Sequence, residues 1–249
     1  MRDFEDSTLW RISAFDRERL HTGDSAFVRI DGPTVLPTTL LADLDRLEGD
    51  PDNRDVMEVV AACMRHREAA LLYLQYEDLV WPVTLFPRSM LYHSPRDLAQ
   101  AGSRGLANLG IMYAEPPGIR PPGHWMLERV GQAGHYRPLT PLIWQLALEG
   151  PRKTLLTEIA GTAAYRVVLA STAEHVAAPG ALGPAVERLR RESMSLRAIA
   201  SWPGMSVERA SRLLNALYLT SSLMVTRTHP AARAQPALGG LFGIGRSKR

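Results

Sequence analysis

The sequence predicts an α+β fold: helices with an antiparallel meander in the N-terminal part, then a small three-helix, winged-helix-like domain. Two observations carry this. The apolar positions Val56, Val59, Val60, Cys63 and Met64 recur in steps of three and four. They are followed at once by three short apolar and aromatic runs, Ala69–Tyr76, Leu79–Phe86 and Met90–His93, with hairpin-sized joints at Glu77-Asp78 and Pro87-Arg88. A helix leading into hairpin-linked strands belongs to α+β rather than to doubly wound architecture. Further on, residues 184–229 hold three short helical segments and one strand-like segment, the order of a winged helix.

The elements follow in chain order. Short apolar runs at Ala26–Ile30 and Val35–Leu44 are separated by Asp31-Gly32-Pro33, a turn signal, and Leu40, Leu41, Leu44 and Leu47 have helical spacing. The helix from Arg54 to near Arg67 presents Cys63 on its apolar face, where a small buried hydrophobe is expected. Pro82 inside the middle run argues for an edge position or a bulge. The segment Glu115–Trp125 contains four prolines, which excludes helix and central strand and predicts a stiff, extended loop. Pro141–Leu148 and Thr154–Leu169 read as two helices with Gly150-Pro151 between them. The Ala/Gly/Pro-rich stretch 177–183 reads as a linker, dividing a domain of residues 1–176 from one of residues 184–229, with a basic, disordered tail over 230–249.

Within residues 184–229, Pro184 suits the first turn of a helix presenting Val186, Leu189 and Arg190. Ser195 caps a second helix with Leu196, Ile199 and Ala200 inward, and Trp202-Pro203-Gly204 stops it. Ser206 caps a third, in which Val207, Ala210, Leu213, Leu214 and Leu217 form an apolar stripe and Glu208, Arg209, Ser211, Arg212 and Asn215 fall opposite. Leu223–Thr228 reads as a strand, and His229-Pro230 follows at once, so the wing is one-stranded or absent. Two readings of the third helix stand side by side. As a recognition helix it would bring Ser206, Arg209, Arg212 and Asn215 to DNA; as a packing or dimerisation element the same residues form an ordinary solvated face.

The segment Leu189–Arg227, LRRESMSLRAIASWPGMSVERASRLLNALYLTSSLMVTR, resembles the helical tail of bacterial PATAN (DUF4388-type) signalling proteins. Asp55–His93, with its strands around Val80-Trp81-Pro82-Val83, is more loosely similar to the sheet of that family and lacks its glycine-rich strand. The resemblance implies a regulatory adaptor working through protein partners in two-component or motility signalling, without catalysis.

Charge and composition bound the partners and the compartment. Residues 1–183 carry a balance of −5, residues 184–229 one of +4 and residues 230–249 one of +4, an acidic body with a basic end that permits an anionic partner. Only Lys153 and Lys248 among 29 basic residues are lysine, a bias that a GC-rich genome explains. The single cysteine excludes an internal disulfide, no run of about 18 apolar residues predicts a membrane span, and MRDFEDSTLW has no apolar leader core; together these predict a cytoplasmic protein. The seven histidines show no metal-ligand spacing, there is no phosphate loop or nucleophile elbow, and the GGLFGIG of residues 239–245 follows no strand, so neither cofactor nor catalysis is expected. Arg88, Arg120 and Trp125, beside the proline-rich loop, are the candidate protein contacts, being of the residue types that dominate interfaces.

Overall fold

A computed structural model of the chain describes residues 9–22, 36–48, 55–168 and 180–232. The expected run Ala26–Ile30, residues 177–179 of the expected linker and residues 233–249 of the expected tail lie outside the described residues.

The fold is α+β. A short strand β1 (Trp10–Arg11) leads into helix α1 (Ile12–Thr22), and helices α2 (Thr38–Glu48) and α3 (Val56–His66) follow. Asp55 starts α3 by accepting the Met57 N–H at 2.8 Å, and Arg67 ends it in the left-handed region at φ 53°. Strands β2 (Ala70–Tyr76), β3 (Leu79–Phe86) and β4 (Leu91–His93) then form the predicted meander. A helix α4 (Gly102–Leu106) precedes β5 (Gly110–Glu115), and β6 (Tyr136–Pro138) runs into helix α5 (Leu139–Glu149). The sheet order is β5-β2-β3-β4-β6, antiparallel throughout, with β1 on β3. Side chains alternate between its faces. Leu72, Leu74, Trp81, Val83 and Leu85 enter the main core with α3 and α5, while Leu71, Tyr73 and Val80 pack beneath Phe15 of α1.

Pro82 sits in β3, an inner strand of this sheet, opposite Tyr73 of β2, where its lost N–H suggests an edge position or a bulge; the nearby register shift falls between Tyr73 and Leu74, where β2 meets β5, and not in β3 itself. The Pro82 carbonyl accepts the Ser94 hydroxyl at 3.2 Å. On that side β1 reaches only Val80 and the β4 register begins at Thr84, so the missing donor falls in a gap and the β2 ladder loses nothing.

The second correction is larger. Residues 154–169 were expected as a helix; the chain instead crosses from Pro151 in irregular conformation to a strand, β7 (Ala164–Val167). Helix α6 (Leu182–Arg191), strand β8 (Met194–Ser195), helices α7 (Leu196–Ala200) and α8 (Val207–Leu219) and strand β9 (Leu223–Thr226) follow. Beta-7 is the middle strand of a sheet ordered β8-β7-β9, antiparallel to both. Strand pairing therefore crosses the expected 177–183 boundary, and the neighbour of β9 comes from before the three helices instead of from a wing hairpin after them. The caps fall as expected: Ser195 accepts from Ala198 N at 3.4 Å and Ser206 from Arg209 N at 3.1 Å.

Among the described residues the main core links both sheets and their helices. It joins Val60 and Cys63 of α3, Leu142 and Ile143 of α5, and Leu213, Leu214 and Leu217 of α8. Helix α8 packs against α5, α7 and β9, and beyond its exposed first turn most of its residues are buried.

Candidate functional site

The four residues proposed for DNA do not share one open face. Ser206 is exposed and its hydroxyl caps α8. Arg209 is exposed and donates to the Gly204 carbonyl at 2.6 Å. Arg212 reaches across to α5, where its guanidinium donates to the carbonyls of Leu148 at 2.8 Å and Gly150 at 2.9 Å while Nε holds Glu208 at 3.1 Å. Those carbonyls are the unsatisfied end of a helix, and a cation is favoured there by the helix dipole as well. Asn215 is 1% exposed. Its Oδ1 accepts the Leu156 N–H and its Nδ2 donates to the Thr154 carbonyl, both at 2.9 Å. The expected outer face is thus partly an inner one: Ser211 is buried with Asn215, whereas Val207 of the expected apolar stripe is exposed.

Arg212 and Asn215 fasten the crossing segment after α5, and a buried ion cluster fastens it from the other side. Arg152 donates to Asp55 at 2.5 Å, pairs with Glu58 at 2.8 Å and donates through Nε to the Thr154 carbonyl at 3.1 Å. Glu58, 5% exposed, also accepts the Thr157 N–H at 2.9 Å and hydroxyl at 2.7 Å. Sequence reasoning missed this cluster, although a lone Arg-Lys after Gly150-Pro151 was its visible trace.

The three proposed protein contacts divide differently. Arg88 is exposed, donating to the Arg67 carbonyl at 2.9 Å and Glu68 at 2.7 Å. Arg120 and Trp125 lie in the connection between β5 and β6, the two outer strands of the large sheet. That connection is pinched at its base. Arg120 bridges to Val130, the Arg120 N–H donates to the Arg129 carbonyl at 2.9 Å, the Tyr136 hydroxyl donates to the Arg120 carbonyl, and Gly131 N–H donates to that same hydroxyl at 2.8 Å. Arg120 Nε is buried there without a hydrogen-bond partner among the described residues.

Beyond the pinch, residues 121–129 form a small excursion held by its own bonds. His124 N–H donates to the Pro121 carbonyl at 3.2 Å, Met126 N–H to His124 Nδ1 at 3.2 Å, and Arg129 N–H to the Met126 carbonyl at 3.1 Å. Its tip bears two large apolar side chains in the open: Trp125, 81% exposed with His124 stacked on it at 5.7 Å, and Leu127, 73% exposed. Sequence reasoning named Trp125 and missed Leu127; an apolar pair inside a proline-flanked polar loop, outside any helix or strand period, was the available signal.

Two further features bear on chemistry. A cavity of about 330 Å³ opens between α3, α8 and β9, lined by Ala61, Met64, Arg65, Glu158, Tyr218, Leu219, Ser221 and Leu223. In its wall Glu158 is paired with Arg65 and accepts the Tyr218 hydroxyl, and Arg65 also holds Asp43 at 2.6 Å. Asp43 in turn bonds His66 at 2.6 Å; that bond first, and Arg65 as well, hold its carboxyl below the usual value. Near β4 and β6, His93 packs edge-on against His135 and Tyr136, and burial, with the charges of His135 and Arg137, pushes its imidazole down to about 4. Cys63 is fully buried on α3 and burial pushes its thiol up to about 12, which suits a core cysteine rather than a nucleophile. Among the described residues no three His, Cys, Asp or Glu side chains are placed to hold a metal, and no helix is long and apolar enough to cross a membrane.

No family model, curated protein or solved structure matches this chain.

Proposed function

We propose that the chain is a non-enzymatic regulatory adaptor of the bacterial signalling type, working in the cytoplasm through protein contacts made by the Trp125–Leu127 tip. The observation that carries this reading is the 81% exposure of Trp125 on a loop whose base is tied by the Arg120–Val130 bridge. A large aromatic buries about 150–250 Å² when covered, about 4–6 kcal/mol of gross transfer free energy at about 25 cal/mol per Å². A loop already held by internal bonds loses little freedom on docking, so more of that free energy remains for affinity. Arg120 and Arg129 sit at the base of the same loop.

The alternative, a DNA-binding regulator using α8, keeps Arg209 as its one exposed arginine of the named set, because Arg212 and Asn215 are engaged inside the chain. The test is the double substitution Trp125→Ala/Leu127→Ala. Both side chains are in solvent, so the thermal midpoint is expected to stay put while partners recovered from host extract are lost. Recovery of the same partners by the double variant would overturn the reading.

A further inference from the structure

The surface carries an apolar knob and, elsewhere, a hole of matching chemistry. The knob is Trp125, open in its own chain. An indole presents flat apolar faces and a single polar atom, the Nε1–H, which only donates. A socket for it therefore needs aliphatic walls, one acceptor, and preferably a cation over the ring.

The cavity between α3 and α8 supplies each of these. Met64, Leu219 and Leu223 provide apolar wall. Glu158 faces Arg65 with its buried Oε1 and accepts the Tyr218 hydroxyl with Oε2, and a carboxylate oxygen has two lone-pair directions, which leaves one on Oε2 for an indole N–H. The Arg65 guanidinium lies in the same wall, where it suits a ring face. The volume, about 330 Å³, lies at the small end of the range of about 300–1,000 Å³ in which proteins hold compact ligands. The knob's loop carries Arg120 and Arg129 against Glu128, a net positive loop, and the one carboxylate lining the cavity, Glu158, faces it beside Arg65, whose other partner Asp43 lies behind the lining and also meets His66.

We propose that Trp125 of one copy of this chain enters the α3–α8 cavity of a second copy, so that the protein associates head to tail. The inference rests on the tip being a protein-contact site and names its partner. Knob and hole are different surfaces, so the contact is heterologous and is not limited to two copies. One aromatic anchor with a neighbouring leucine covers less than the roughly 1,200 Å² of a stable complex, which makes the association weak and reversible.

Sedimentation and light scattering of the full chain from about 10 µM to about 500 µM test this, a range set for a contact of micromolar strength. The average mass of the wild type is expected to rise from 27.5 kDa to beyond twice that value. Trp125→Ala removes the knob, and Met64→Trp fills the hole from its own wall; each alone is expected to stay monomeric with an unchanged far-ultraviolet spectrum. Mixed in equal amounts they retain one intact knob and one intact hole, and are expected to form a heterodimer that grows no further. Leu223→Trp replaces Met64→Trp if the latter does not fold. A wild type that stays monomeric throughout, or a Trp125→Ala variant that associates as the wild type does, overturns the proposal. If the wild type is monomeric and the tip variant still loses its partners from extract, self-docking fails and the contact role of the tip stands; if it keeps them, both fail.

Discussion

Replacing Asn215 by alanine separates a residue that builds the fold from one that reads a ligand. Asn215 lies in the middle of α8, 1% exposed, and satisfies two backbone groups of the crossing segment. In the alanine variant the Thr154 carbonyl keeps a donor, because Arg152 Nε is bonded to it at 3.1 Å. The Leu156 N–H, in a fully buried residue, keeps none. A buried donor left without a partner costs about 1–3 kcal/mol, and the space vacated by the amide adds about 1 kcal/mol. The expected loss is therefore about 2–4 kcal/mol, a fall of roughly 5–15 °C in Tm for a chain of this size. Asn215→Asp is expected to do no better: it keeps an acceptor for Leu156 but turns its other oxygen toward the Thr154 carbonyl. Urea unfolding followed by circular dichroism and tryptophan fluorescence gives the difference at equal m value. A change within about 0.5 kcal/mol, the range of solvated surface substitutions, would refute the argument and return Asn215 to the outer face.

Three further outcomes follow from the same contacts. Arg152→Ala strips the cation from Asp55 and the buried Glu58 and is expected to cost about 3–5 kcal/mol, read in the same urea titration; Arg152→Lys restores one ion pair but not the bond to Thr154, so partial rescue is expected. Cys63, fully buried with its thiol raised to about 12, is expected to resist a disulfide reagent at pH 8 in the folded protein and to react stoichiometrically in denaturant; prompt labelling without denaturant would contradict the core placement. Asp43 has a lowered pKa, so its ionised form stabilises the fold above its unfolded value of 3.8 and that contribution fades as pH falls through the lower folded value. The stability advantage of the wild type over Asp43→Asn is accordingly expected to shrink in acid below about pH 4, and a gap that widens there would contradict the His66 and Arg65 contacts.

Local sequence was enough for several parts of this molecule. The three-and-four spacing of Val56 to Met64 determined helix α3 and the core position of Cys63, and the three apolar runs with two-residue joints determined the β2–β3–β4 meander. The hydroxyls of Ser195 and Ser206 marked the starts of α7 and α8, since capping acts within three residues. The Trp125 loop was legible too, because four prolines forbid regular structure whatever surrounds them. What only the tertiary structure decided is which face is inside. Helix α8 has one apolar stripe, and periodicity assigns the opposite side to water; α5 covers that side instead, and Arg212 and Asn215 become the partners of carbonyls about sixty residues away. Beta-7 was hidden for a related reason. Its four residues, Ala164–Val167, are too few to declare a period, and they are a strand because β8 and β9, arriving later in the chain, offer edges on both sides. A polar side chain's role is set by whichever unsatisfied group ends up against it, and that is a property of the packed chain.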